Sequence, residues 1–137
     1  MFIQPYLFFD GVCEQAVEFY KGAVGAEVQM LMRHKDVPVP PAPGMVAAGA
    51  DNKIMHVTFK VGDTLINGSD GRCTGNPAFQ GFSLSLNTSG PAEAERVFAA
   101  LAAGGKVDMP LGKTFWSPMF GMLTDKFGIH WMISIPV

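Results

Sequence analysis

Three histidines, two cysteines and twelve acidic residues are the groups from which this chain could build acid–base, nucleophilic or metal chemistry. His56 stands out among them. In 54–61, Met55, Val57, Phe59 and Val61 alternate as an apolar face, which predicts a strand with His56 and Thr58 on the opposite face. An imidazole presented there can act as a general base or orient a polar ligand. It can equally hydrogen-bond across a sheet and stabilise it. His130 shares one face of a terminal strand with Met132 and Ser134, opposite Trp131 and Ile133, and either joins the same site or lies at a strand edge in solvent. His34, just before a Pro-rich stretch, reads as exposed.

Other residues offer narrower chemistry. Asp70 precedes Gly71: the carboxylate can take a ligand amine or pair with Arg72, while Asp-Gly is also a strong turn pair. Asp125 before Lys126-Phe127-Gly128 has the same two readings. Arg33, at a strand end, can clamp a carboxylate or phosphate or simply be solvated. Phe115-Trp116 and Met119-Phe120 flank Ser117-Pro118. Three aromatic side chains and a methionine around one turn are hard to bury in so small a chain, so Trp116 and Phe120 are expected to wall a pocket or an interface. Gln4 and Tyr6 on the first strand complete the ligand-facing set with Thr58. No nucleophile elbow, phosphate-binding Gly loop, zinc spacing or Ser-His-Asp constellation is present.

The elements that must carry these residues follow from periodicity and punctuation. Phe2 to Phe9 reads as a strand, ended by Asp10-Gly11, which also offers a helix cap. From Cys13 to Val24 the apolar residues Cys13, Ala16, Val17, Tyr20 and Val24 recur at helical spacing, and Gly25 stops the helix. Glu27 to Arg33 is a second strand. Lys35 to Asn52, with Pro38, Pro40, Pro41, Pro43, Gly44 and Gly49, cannot form a regular element and is a long loop of the kind that serves as a lid. Lys53 to Val61 and Thr64 to Ser69 form a hairpin around Gly62-Asp63. Residues 73–77 read as a linker.

The pattern then restarts. Gly81 to Thr88 alternates as a strand. Pro91 opens a helix capped by Ser89 or Gly90, with the stripe Ala94, Val97, Phe98 and Leu101, and Gly104-Gly105 stops it. Lys106 to Phe115, Met119 to Thr124 and His130 to Ile135 supply three strands. The order strand, helix, three strands therefore occurs twice, which indicates an internal duplication. The expected fold class is α+β: two tandem β-α-β-β-β modules, 1–72 and 78–137, in one 137-residue domain. Their sheets are expected side by side, with helices outside and a cup between them.

Bulk composition narrows the function. The chain is 48% hydrophobic and carries a net charge of -2, its basic residues scattered, which argues against nucleic acid. No apolar run approaches the roughly 20 residues of a membrane span, and residues 1–10 lack the features of a secretion signal. Cys13 and Cys73 form no metal or redox spacing and are expected as reduced thiols in a cytoplasmic protein. Nine Met and eleven Phe serve either a core or an adaptable apolar pocket.

Pro5-Tyr6-Leu7-Phe8-Phe9-Asp10-Gly11, Glu18-Phe19-Tyr20, Gly25-Ala26, Lys53-Ile54-Met55-His56, Ser69-Asp70-Gly71, the Trp116 stretch, and Asp125-Lys126-Phe127-Gly128 with Trp131 together resemble PhnB-like proteins. These form a branch of the vicinal oxygen chelate superfamily of glyoxalases, bleomycin-resistance proteins and extradiol dioxygenases. The resemblance spans essentially the whole chain and implies a homodimer. Some relatives carry a ubiquinone methyltransferase label, yet no glycine-rich turn with an acidic partner suits a nucleotide cofactor here.

The resemblance also implies a divalent metal held by a His from the first strand and a Glu from the last strand of each module. Those positions fall on Gln4 (or Pro5), Ile66 or Asn67, Gly81 and Met132. None is a His or a carboxylate, so no metal or other cofactor is expected. The expectation is a protein that binds a small, partly apolar molecule in its cup through Gln4, Tyr6, Arg33, Thr58, Asp70, Trp116, Phe120 and His130. The alternative is an enzyme of lyase, isomerase or dioxygenase type, metal-independent or with a relocated site, that uses His56 as its acid–base.

Overall fold

The computed structural model describes residues 1–38 and 49–137. Most of the expected lid loop, 39–48, lies outside the described residues. Its two feet are tied together: His34 N–H donates to Lys53 O (3.0 Å) and Lys35 N–H to Asp51 O (3.0 Å).

The chain divides into two compact units, Met1–Pro77 and Ala78–Val137. The first contains β1 (Tyr6–Phe8), α1 (Cys13–Val24), β2 (Glu27–Arg33), a 3-10 turn (His34–Asp36), β3 (Ile54–Val61) and β4 (Thr64–Ser69). The second contains β5 (Leu84–Asn87), α2 (Pro91–Ala102), β6 (Lys106–Gly112), β7 (Phe120–Thr124) and β8 (His130–Ser134). The sheets run β1-β4-β3-β2 and β5-β8-β7-β6. In each, the first strand pairs parallel to the last and the others pair antiparallel. This is the α+β, twice-repeated β-α-β-β-β order expected from the sequence.

Each sheet buries one face beneath its helix. In the first unit Cys13, Ala16, Val17, Tyr20 and Ala23 of α1 are buried, as are Leu7, Phe9, Val57, Phe59, Val61 and Ile66 of the sheet. Tyr20 stacks on Phe59 with centroids 6.1 Å apart. In the second, Ala94, Val97, Phe98 and Leu101 of α2 are buried along with Leu123, Trp131 and Ile133. Fully burying an aliphatic or aromatic side chain of this size contributes about 1.5–3 kcal/mol, so each of these faces stabilises its own unit. No helix among the described residues is long and apolar enough to cross a membrane.

Several local expectations change. The first strand is only Tyr6–Phe8, and Met1, Phe2 and Ile3 are exposed. The β1–β4 ladder starts at Tyr6 opposite Asn67, and Pro5 has no N–H to extend it. Met55 is not on the buried face. Met32 pairs with His56 and Arg33 with Ile54, so β3 carries one extra residue there, and this bulge turns Ile54 into the core instead.

The α1 cap is not supplied by Asp10. Val12 occupies the cap position without a side-chain bond, and the buried Asp70 accepts the first helical N–H, from Cys13, at 2.8 Å. Finally, residues 73–77 pack with the first unit: Gly75 N–H donates to Asp10 O (2.6 Å), and both the Thr74 backbone and hydroxyl donate to the Asp10 carboxylate.

Candidate functional site

The face of the first sheet turned away from α1 carries a continuous chain of polar side chains. Strand alternation puts Tyr6 there because Leu7 and Phe9 face the core, and His56 and Thr58 because Val57 and Phe59 do. Asn67 lies opposite both Tyr6 and Thr58 in the ladders. The Thr58 hydroxyl donates to Asn67 Oδ1 (2.7 Å), and Asn67 Nδ2 donates to Gln4 Oε1 (2.9 Å). Since the single hydroxyl proton of Thr58 points to Asn67, its oxygen accepts from His56 Nε2–H at 3.1 Å. That fixes the tautomer, so His56 Nδ1 accepts the Tyr6 hydroxyl proton at 3.0 Å.

The chain therefore runs one way, from Tyr6 through His56, Thr58 and Asn67 to Gln4. Both imidazole nitrogens are occupied. The groups left to meet a ligand include the lone pairs of Tyr6 Oη, the side-chain N–H groups of Gln4 and the second N–H of Asn67 Nδ2. Around this polar line stand Phe8, whose ring centroid is 5.0 Å from that of Tyr6, and Met30 and Met32, paired with Thr58 and His56. A few fixed polar atoms in an apolar surround suit a small organic molecule.

Other sequence candidates lie elsewhere. Arg33 forms a two-oxygen ion pair with Glu14 of α1 (2.6 and 3.2 Å) and also donates to Asn52 O (2.7 Å). The hydrogen bond from Arg33 holds the Glu14 carboxyl below its usual range, so this guanidinium is engaged on the helix side. Asp70 is 1% exposed, and its second oxygen accepts from Ile54 N–H (2.6 Å). It ties the start of α1 to the start of β3 and has no oxygen aimed at the polar chain. Cys13 and Cys73 are free thiols, and burial raises both above the usual thiol range.

In the second unit Trp116 packs edge-on against Phe120 at 5.4 Å. Phe120 is buried, Trp116 is 47% exposed and Phe115 is 97% exposed. Ser117 braces this turn: its hydroxyl lies within donating distance of Met119 O (2.8 Å) and Ile135 O (2.7 Å), and its oxygen accepts from Met119 N–H (3.2 Å). His130 Nδ1 is 2.9 Å from Thr124 Oγ1, and Thr124 donates to Asp108 (2.7 Å).

Sequence reasoning did not single out Asn67, Thr124 or Asp108 as site partners. Alternation in Thr64–Ser69 sets Asn67 opposite the buried Ile66, which is a legible signal. Its role as the link between Thr58 and Gln4 requires the β1–β4 pairing.

The superfamily's metal fits these residues poorly. Of Ile66 and Asn67, only Asn67 faces away from the helix, and its amide is already bonded to Gln4, the residue at the other first-unit ligand position. Neutral amides bonded to each other, with glycine and methionine at the remaining positions, are not a donor set for a hard divalent ion. Among the described residues no group of three or more His, Cys, Asp or Glu is placed to hold a metal.

Comparison with known proteins agrees with this architecture. Residues 2–134 match the model of the 3-demethylubiquinone-9 3-methyltransferase family. Protein YjdN of Escherichia coli (strain K12) is 33% identical, covering 97% of this chain and 94% of YjdN. The crystal structure of protein PA1353 from Pseudomonas aeruginosa is 39% identical with a TM-score of 0.85, covering 99% and 98% of the two chains. The PhnB protein of Bacillus cereus is 28% identical with a TM-score of 0.79, covering 98% and 99%. The chain belongs to this family, the PhnB-like branch of the vicinal oxygen chelate superfamily, and has its two-module glyoxalase/bleomycin-resistance fold.

Proposed function

We propose that the open face of the first sheet binds a small, partly apolar molecule without a divalent metal. The observation that carries this reading is the Asn67–Gln4 hydrogen bond. It uses the two side chains at the first-unit ligand positions to anchor a directed polar chain, flanked by Phe8, Met30 and Met32. The ligand's donor group meets Tyr6 Oη and its acceptor meets the Gln4 amide, while its apolar body lies on the methionines. Methyl transfer, named in the family description, is not part of this reading, because no glycine-rich turn follows a strand. Assembly as a homodimer in the cytoplasm goes with the same proposal, supported by the family resemblance, the unpaired thiols and the exposed Phe115.

A second reading has one observation in its favour. Tyr6 O–H donates to His56, so the pair can pass a proton between a bound molecule and the imidazole. In that case Tyr6 touches the substrate and His56 acts through it.

The test is elemental analysis of purified, untagged protein with and without added Mn, Ni, Zn and Fe, beside His56→Ala. The expected result is less than about a tenth of an equivalent bound, unchanged in the variant. NMR fragment screening should then move the signals of Tyr6, His56, Thr58 and Asn67. Near one equivalent of metal, lost in His56→Ala, would overturn the metal-free reading.

A further inference from the structure

The open face of the second sheet is chemically different. Met109 of β6 pairs with Met122 of β7, and Met122 pairs with Met132 of β8. The three form one rung across three strands. They sit opposite the core face, since Leu123, Trp131 and Ile133 are buried under α2, and Met109 is 41% exposed. Side chains directly opposite in antiparallel strands have Cβ atoms about 4.5–5.5 Å apart. Each methionine has three rotatable bonds beyond that point, so the three thioether sulfurs can converge above Met122.

The neighbouring rung supplies an imidazole in a defined state. Thr124 pairs with His130. The Thr124 hydroxyl donates to Asp108 Oδ2 (2.7 Å), and an ionised carboxylate can only accept. Thr124 Oγ1 therefore accepts from His130 Nδ1–H at 2.9 Å. This leaves the lone pair of His130 Nε2 without a hydrogen-bond partner among the described residues. A histidine whose other N–H is tied to a hydroxyl backed by a carboxylate is arranged as metal-ligating histidines are.

Thioethers with one imidazole make a soft donor set that favours Cu(I) over hard divalent ions. We propose that Met109, Met122, Met132 and His130 Nε2 form a site for a soft monovalent cation, Cu(I). The proposal is independent of the reading of the first unit, which rests on Gln4 and Asn67 and concerns hard divalent metals; Met132, the one position shared with the superfamily's ligand set, enters here as a thioether.

The test is anaerobic titration of the untagged full chain with Cu(I) against a chromophoric Cu(I) chelator, with Ag(I) as a redox-inert probe of methionine methyl NMR signals. We expect about one equivalent bound, shifts confined to Met109, Met122 and Met132, and no displacement by Zn(II). Met122→Leu keeps volume and apolarity, a class of swap that usually costs under about 1.5 kcal/mol, so folding should survive. It should weaken Cu(I) binding by at least tenfold, and Met122→Leu with Met132→Leu should abolish it. Failure to take Cu(I) from the chelator would overturn the proposal. So would unchanged affinity in a folded double variant, which would make the methionine row an apolar floor only.

Discussion

The two sheets share a backbone plan and diverge on their open faces. Counted back from the matched backbone bonds Phe9 N–H to Ser69 O and Thr88 N–H to Ser134 O, Thr58 pairs with Asn67 in the first unit where Met122 pairs with Met132 in the second. His56 stands two residues before Thr58 on its strand, and the Thr124–His130 pair lies two residues on from Met122. One sheet thus displays a directed line of amides, hydroxyls and an imidazole; the other a row of thioethers beside a histidine. The helix-covered faces conserve bulk instead. Val57 opposes Gly68 where Gly121 opposes Ile133; a Cβ on Gly68 would lie 3.3 Å from the Phe9 ring and one on Gly121 2.8 Å from the Phe98 ring, so each unit sets a glycine against an aliphatic residue and fills the space with a phenylalanine. The duplicated ladder is set by the core faces, which leaves the open faces free to take up different chemistry.

The largest expected effects test the claim that each unit has a buried carboxylate as a brace. Asp70 accepts backbone N–H groups from Cys13 and Ile54. Asp125 accepts those of Phe127 and Ile129 and the Trp131 indole N–H. Asp70→Ala and Asp125→Ala strand these buried donors, and each should cost about 3 kcal/mol or more in urea unfolding. If Asp70→Ala stayed within about 0.5 kcal/mol of the parent but lost ligand binding, Asp70 would be a site residue rather than a brace.

A smaller effect separates the two cores. A Cβ on Gly121 would lie 2.8 Å from the Phe98 ring and 3.0 Å from Met109 O, whereas one on Gly68 would find nothing nearer than Leu7 O at 3.2 Å. Gly121→Ala should therefore lower stability by about 2 kcal/mol and Gly68→Ala by about 1. Equal shifts in Tm would break the comparison.

Much of this was legible in the sequence, because hydrophobic period and Gly/Pro punctuation are local. They placed α1 and the α2 stripe, and both β-α-β-β-β orders. Strand lengths were overestimated at Phe2–Phe9 and Lys106–Phe115, since a strand ends where its partner ends and where Pro5 or the Thr114–Ser117 turn interrupts pairing. The bulge that exchanges Met55 for Ile54 depends on β2, which no pattern within β3 reveals. For the site, alternation put His56 and Thr58 on one face, but the occupation of both imidazole nitrogens required Tyr6 and Thr58 to be seen together. Arg33 looked free because its partner Glu14 lies across a helix. Asp70 looked like a turn residue because the N–H groups it caps are remote in sequence.

The smallest effect is electrostatic and again pairs the units. Asp10 is held below its ordinary carboxyl range chiefly by the Thr74 hydroxyl, and Asp108 chiefly by the Thr124 hydroxyl. A carboxyl lowered in the folded state contributes stability that is full above its unfolded pKa, about 3.9, and is lost as pH falls through the folded value. Thr74→Val and Thr124→Val should each raise the midpoint of its own aspartate toward the ordinary range, read by carboxyl-carbon NMR titration. Each should also soften the loss of Tm below about pH 4. The two differ in what else moves. Thr124→Val removes the acceptor of His130 Nδ1–H and should shift the His130 ring signals while leaving His56 in place. Thr58→Val should do the reverse, and Thr74→Val should move neither histidine. If Thr124→Val left both Asp108 and His130 unchanged, the Asp108–Thr124–His130 chain would not form in solution, and the tautomer that presents His130 Nε2 would lose its cause.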